Sequence, residues 1–286
     1  EKVWPVKSVK QAKLIEDGPI RKTLLVERVY EESTISQKIH LYENNGRIDF
    51  ETEVDWHQQH LLLKAEFPVE VHSYKATFDI QFGNIERPIH ENTSWDKARF
   101  EVSGQKWVDI SEGGYGVSVI TDSKYGFNVS YQKIGISLIK SATDPNPEAD
   151  QGKHTFTYSI LPHEGTWQEA DTVEQSLDLN VPGISRITKN IPQAEKTFGK
   201  VLQKNILIDT VKKSEDGKAT IMRAYEFHNK RTTGVFEIED IYEKAVLCDL
   251  LENELQELEL SNGGNLTVEF APFEIQTIKL IKKKGI

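Results

Sequence analysis

Residues 47–56 read RIDFETEVDW. Ile48, Phe50, Val54 and Trp56 share one parity, with Thr52 among them, while Asp49, Glu51, Glu53 and Asp55 share the other. Successive side chains of an extended chain point to opposite faces. Apolar against acidic at period two therefore predicts a strand with one buried and one solvated side. The alternation returns in ATFDIQF (76–82), IGISLI (134–139) and HTFTYSI (154–160), where His154 lies on the parity of Phe156 and Tyr158. Turn-forming residues separate these runs: Asn44-Asn45-Gly46, Gly113-Gly114, Asp144-Pro145-Asn146-Pro147 and Pro162. Many short strands with no alternating helices predict an all-β sandwich.

The stretch 179–196, LNVPGISRITKNIPQAEK, has two prolines, a glycine and no clear period. It divides the chain into expected domains 1–183 and 184–286. The second is also β: 206–227 reads as a hairpin turning at Asp216-Gly217, and 265–281 supplies two final strands after Asn262-Gly263-Gly264. DLLENELQELEL (249–260) spaces Leu251, Leu255 and Leu258 like a helix but sits among strands, and we read it as strand. Gly83 to Phe100 reads as a long polar connection.

The chain has 286 residues, 37% hydrophobic and 9% aromatic, enough for two cores and too apolar for disorder. Its net charge of -10, with one dense basic run at Lys282–Lys284, argues against a nucleic-acid partner. No apolar run approaches the roughly 20 residues of a membrane-spanning helix. Cys248 is the single cysteine, which excludes an internal disulfide and suits a reducing, cytoplasmic setting. The N-x-S/T triplets at Asn92, Asn128 and Asn265 have meaning only in a glycosylating pathway and read as incidental. A start at Glu1, with Met222 the single methionine, reads as a fragment of a longer protein.

Several clusters invite chemistry. His57 and His60 in DWHQQH resemble a metal pair but have no third ligand in sequence. EGGYG (112–116) lacks the ending of a phosphate loop and reads as a turn. Asp150 with His154, and His163 with Glu164, are acid–imidazole pairs of the kind used in proton transfer. A core histidine is the plainer reading of His154 and a strand-end turn that of His163. RPIHENTSWDKARFE (87–101) gathers Arg87, His90, Glu91, Asn92, Trp95, Asp96, Arg99 and Glu101: either a sugar platform or a loop pinned by its own polar network of Asn92, Asp96 and Arg99.

That last stretch also opens a resemblance. NTSWD (92–96), ARFEV (98–102), Trp107-Val108-Asp109 and Lys124-Tyr125-Gly126 follow in order. So do DPNPEADQGKHTFTYSILPHEG (144–165), Lys213 with Glu215-Asp216, Arg223-Tyr225-Glu226, Leu250-Leu251-Glu252 and Pro272-Phe273-Glu274-Ile275. In this order the words resemble the C-terminal region of family 38 glycoside hydrolases, the class II α-mannosidases, and the cytosolic and bacterial branch above all. The resemblance implies a galactose-mutarotase-like supersandwich, N-terminally incomplete here, followed by a smaller β-sandwich-like domain. It implies a parent enzyme that hydrolyses α-mannosides with retention, using two carboxyl groups roughly 5 Å apart. Those carboxylates and the ligands of the parent's zinc belong to an N-terminal barrel, so no catalytic or metal residue is expected in this chain. Its expected partners are that barrel, the α-mannoside oligosaccharide and, as a further option, a second copy.

One departure from the family pattern is Lys140, in Leu138-Ile139-Lys140-Ser141-Ala142, where relatives resemble Leu-Leu-Arg-Ser-Pro. Lysine keeps the charge but loses the planar fork of arginine. Lys140, Asp150 and His154 are the candidate substrate contacts. Two rival readings stand beside this one: a stand-alone mutarotase-like enzyme using His154 or His163, and a carbohydrate-binding module using Trp95 and Trp107.

Overall fold

The structure is a computed structural model that describes residues 2–7, 10–189, 197–261 and 263–283. Glu1, part of the expected connecting segment (190–196), Asn262 of the expected turn and Lys284 of the basic run lie outside the described residues. The strands are β1 (Lys13–Asp17), β2 (Arg21–Tyr30), β3 (Ser33–Tyr42), β4 (Asn45–Trp56), β5 (Leu62–Pro68), β6 (Lys75–Ile80), β7 (Gly83–Pro88), β8 (Val102–Ser103), β9 (Trp107–Ser111), β10 (Tyr115–Thr121) and β11 (Gly126–Ser130). They continue as β12 (Lys133–Lys140), β13 (Gly152–Glu164), β14 (Gly199–Val201), β15 (Ile206–Lys213), β16 (Thr220–Glu226), β17 (Thr232–Ile238), β18 (Tyr242–Cys248), β19 (Glu254–Leu258), β20 (Asn265–Phe270) and β21 (Ile275–Lys282). Among the described residues two helices interrupt them, α1 (Ser94–Lys97) and α2 (Thr172–Asn180).

The chain forms two compact units, residues 1–80 with 85–184, and residues 81–84 with 185–286. In the first, a nine-stranded sheet in the order β1-β2-β3-β4-β13-β10-β9-β6-β7 is opposed by a four-stranded sheet, β5-β12-β11-β8. RIDFETEVDW is the body of β4, held antiparallel between β3 and β13, with Val54 opposite both Ile35 and His154. Val54, Trp56 and partly buried Phe50 join Phe78, Ile110, Phe127, Ile136 and Phe156 in the core, as the alternation requires. Burying these side chains is worth about 2 kcal/mol each, which offsets the entropy of ordering the strands.

The acidic parity of β4 is not simply wet. Asp49 is buried, paired with Arg47 at 2.7 Å and bonded by Ser159 and Tyr42. Arg47 also donates to the Gln175 carbonyl of α2 at 2.7 Å, so a polar network fastens this helix to the sheet. Helix α2 was not anticipated. Its buried residues are Thr172, Val173 and Ser176, two of them small and hydroxylated, so no apolar stripe marks it in sequence.

In the second unit, β15-β16-β21-β18-β19 and β14-β17-β20 enclose Met222, Phe236, Leu266, Phe270, Ile278 and Leu280. Residues 254–258 are the edge strand β19 with Leu255 exposed, as expected for strand rather than helix; Leu250 and Leu251 lie in the preceding turn. The expected long connection from Gly83 to Phe100 instead contains β7 and α1. There Thr93 and Asp96 form a reciprocal capping box: Thr93 Oγ1 accepts from the Asp96 amide, and the Asp96 carboxylate accepts from the Thr93 amide.

Candidate functional site

The sandwich of the first unit brings the three expected substrate contacts together at one end of β12 and β13. The backbone N–H of Lys140 donates to Asp150 Oδ2 at 3.0 Å. His154 Nε2 lies 2.8 Å from the Asp150 carbonyl oxygen, so the ring donates from Nε2 to that acceptor. Asp150 itself takes a left-handed conformation, φ 59°, which turns the chain into β13. His154 is half-buried rather than a full core residue, while Lys140 and Asp150 are exposed.

Lys124 is an addition to this group. Its Nζ stands 4.3 Å from the centroid of the Phe156 ring. Burial lowers its pKa, against the opposing charges of Asp150 and Asp122. Sequence marked Lys124 only as part of a resemblance, because its proximity to Asp150 depends on the strands that carry them. The cluster presents an ammonium, a carboxylate and a half-buried imidazole, groups that hydrogen-bond sugar hydroxyls.

The second acid–imidazole pair is a different object. His163 Nε2 is 2.8 Å from Asp109 Oδ2, which also accepts from Ser118 at 2.8 Å; Asp109 Oδ1 accepts from Ser111. Ser118 Oγ meets Thr172 Oγ1 of α2 at 3.0 Å. The imidazole is 5% exposed, so His163 fastens α2 and β13 to the sheet rather than facing a ligand. Burial pushes its pKa down, but the hydrogen bond and charge of Asp109 outweigh this and the net shift is upward. This placement removes His163 as an accessible base.

Residues 87–101 border a cleft of about 1220 Å³ in the same unit. Arg87, His90, Asp96, Arg99 and Glu101 line it, facing Arg28, Gln37, Phe50, Thr52, Trp56 and Tyr158 of the large sheet. Asp96 is held by α1 capping, with His90 at 3.6 Å and Arg99 at 3.5 Å. The hydrogen bond from Thr93 leads the causes that lower its pKa, followed, against some burial, by the Thr93 amide, His90 and Arg99. Of the expected internal network of Asn92, Asp96 and Arg99, the last two pair, whereas Asn92 joins only through its backbone N–H, which donates to His90 Nδ1 at 3.4 Å. Trp95 is 81% exposed and Trp107 fully buried, so these two rings do not form a shared stacking platform. His57 pairs with Asp55 at 3.0 Å, and His60 meets Thr143 at 3.5 Å. Among the described residues no three His, Cys, Asp or Glu side chains gather to hold a metal ion. The described residues thus offer no three-ligand set for the zinc that the resemblance implies.

The fold and the site together define an all-β chain of two compact units, the first of them carrying a polar cluster at its rim. The comparisons give the family. Residues 1–148 match the glycosyl hydrolases family 38 C-terminal domain, and residues 205–278 the glycosyl hydrolases family 38 C-terminal beta sandwich domain. The chain belongs to glycosyl hydrolase family 38 and comprises its C-terminal region. It is 38% identical over 287 residues to alpha-mannosidase G of Dictyostelium discoideum, covering 94% of this chain and 26% of that protein. It is 35% identical over 254 residues to alpha-mannosidase 2C1 of Homo sapiens, covering 87% of this chain and 24% of that one. The fold is that of an alpha-mannosidase structure from Enterococcus faecalis V583, with TM-score 0.80, 16% identity, and 96% and 35% of the two chains covered. The chain thus spans about a quarter of the length of the curated relatives it matches.

Proposed function

We propose that this chain is the non-catalytic C-terminal β portion of an α-mannosidase that hydrolyses α-linked mannose with retention. The observation that carries the reading is the 38% identity to alpha-mannosidase G along 94% of the chain. In this reading the nucleophile, the acid/base and the zinc ligands lie in an N-terminal barrel of the same polypeptide, and the β region buttresses and partly completes the substrate cleft. Retention needs two carboxyl groups roughly 5 Å apart across the scissile bond. This chain contributes positioning: Lys140, Asp150 and His154 offer a cation, an anion and an imidazole to mannose hydroxyls. A cytoplasmic setting is part of the proposal, supported by a single buried thiol, Cys248.

The test compares the full-length enzyme with purified residues 1–286 on an aryl α-mannoside. The full-length protein turns the substrate over, with the anomeric configuration retained by NMR, and the β region alone does not. Turnover by the β region free of host mannosidase would overturn the assignment. Absence of mannosidase activity in the full-length protein would overturn the parent activity.

A further inference from the structure

The rim cluster adjoins the cleft of the first unit. His154 lies opposite Val54 and shares the inner parity of Tyr158 along β13, and Tyr158 lines the cleft of about 1220 Å³. Strand register joins the two regions elsewhere as well. Leu62 lies opposite Lys140 and Trp56 opposite Gly152, and both Leu62 and Trp56 line the cleft. His60 completes the join: it lines the cleft, and its backbone N–H donates to the carbonyl of Ser141, next to Lys140, at 2.7 Å.

The charges of the cleft are largely paired with one another. Glu66 pairs with Lys133 at 2.7 Å, Glu101 with Lys64, and Asp96 with Arg99 at 3.5 Å, and all six side chains line it. Such pairs set N–H donors and carboxylate acceptors side by side with little net charge. That suits a neutral ligand whose hydroxyls both donate and accept better than it suits an ion. On the opposite wall Gln37 is buried. It donates to Tyr158 Oη at 2.7 Å and to Thr52 Oγ1 at 3.1 Å, and it accepts from Arg28. These polar groups are fixed before any ligand arrives, which lowers the cost of binding. Two rings complete the lining, Phe100 at 74% and Trp4 at 53% exposure. An exposed aromatic ring beside hydrogen-bonding groups offers an apolar surface to the C–H face of a pyranose. The volume exceeds the roughly 300–1,000 Å³ of a small-molecule site, so there is room for more than one sugar ring.

We propose that this cleft is an oligosaccharide subsite, in which lie the sugars of an α-mannoside chain that continue past the rim cluster. Their hydroxyls meet Arg28 and Tyr158 on one wall and the Lys64–Glu101 pair on the other, and one ring stacks on Phe100. The proposal rests on the parent α-mannosidase activity put forward above and adds the substrate class: mannose chains rather than single mannosides.

The experiment uses the full-length enzyme and its Arg28→Ala and Phe100→Ala variants. The substrates are an aryl α-mannoside, which carries one sugar, and a set of α-linked mannopentaoses differing in linkage. For the mannopentaose turned over fastest, KM should rise about fivefold or more in each variant. KM for the aryl mannoside, which ends at the rim, should stay within about twofold, which also shows that the variants fold. An unchanged KM for the mannopentaose, an equal rise for both kinds of substrate, or turnover confined to the aryl mannoside would overturn the subsite and assign the cleft to another occupant. These outcomes leave the parent activity standing. A full-length protein inactive on every mannoside would overturn the parent reading and the subsite with it.

Discussion

His163 Nε2 sits 2.8 Å from Asp109 Oδ2, with the imidazole side chain 5% and the carboxylate side chain 1% exposed. A charge-assisted hydrogen bond in such a place stabilises the fold in a pH-dependent way. The folded-state pKa of His163 is raised above its ordinary 6.5. Its stabilisation is therefore fully present below the unfolded pKa and is lost as pH rises through the folded one. All five tryptophans lie in the first unit, so tryptophan fluorescence reports its unfolding. In urea titrations the stability gap between the parent and His163→Gln should be larger near pH ~5.5 than near pH ~9. A gap that stays constant or grows toward alkaline pH would reject the ion pair as its source.

Gly116 faces His163 across the β10–β13 register, and the imidazole lies over it. A Cβ at 116 would come within 2.6 Å of Ser111 Oγ and 2.8 Å of His163 Nε2. Gly116→Ala should therefore cost about 1–3 kcal/mol through overpacking. The loss should shrink in the double variant with Ser111→Ala and His163→Ala, measured as a cycle in the same assay. Additive losses would show that the strain lies elsewhere.

Glu226 is fully buried and accepts from Asn205 Nδ2, the amides of His228 and Lys230, and the amide of Phe273. Glu226→Ala strands these donors and should cost about 3 kcal/mol or more. Glu226→Gln should also destabilise, because its NH2 group would face two N–H donors. Faster amide exchange across Asn265–Phe270 (β20) reads the loss; unchanged exchange in both variants would refute it.

Lys140 and Asp150 test the rim cluster. Asp150→Ala removes the acceptor of the Lys140 amide, whereas Asp150→Asn keeps one oxygen there. In the full-length enzyme Lys140→Ala and Asp150→Ala should raise KM for an α-mannoside several-fold with kcat little changed, and Asp150→Asn should do so less. Unchanged kinetics in all three would remove the cluster from substrate binding.

Period-two patterning made β4, β12 and β13 legible, since strand burial depends on a residue's own parity. The helical spacing of Leu251, Leu255 and Leu258 was correctly subordinated to its β setting, and the polar network of Asp96 and Arg99 was readable from local spacing. Helix α2 was not readable, because what buries it is hydroxyl and guanidinium chemistry supplied by distant strands. RPIHENTSWDKARFE looked like a self-contained sugar site, yet its side chains cap a single helical turn and border a cleft whose far wall comes from β2, β3, β4 and β13.

The sequence by itself determined the all-β class, the partition of apolar and polar faces, and the family. All three are written in residue order and need no knowledge of which strands pair. Only the tertiary structure decided which histidine is accessible. His154 and His163 lie on one strand with similar neighbours in sequence, but His163 is sealed against Asp109 beneath α2 while His154 remains at the rim with Asp150. For His163, burial, hydrogen-bond partner and pKa depend on Asp109 and α2, which strand pairing and helix packing bring to it from elsewhere in the chain.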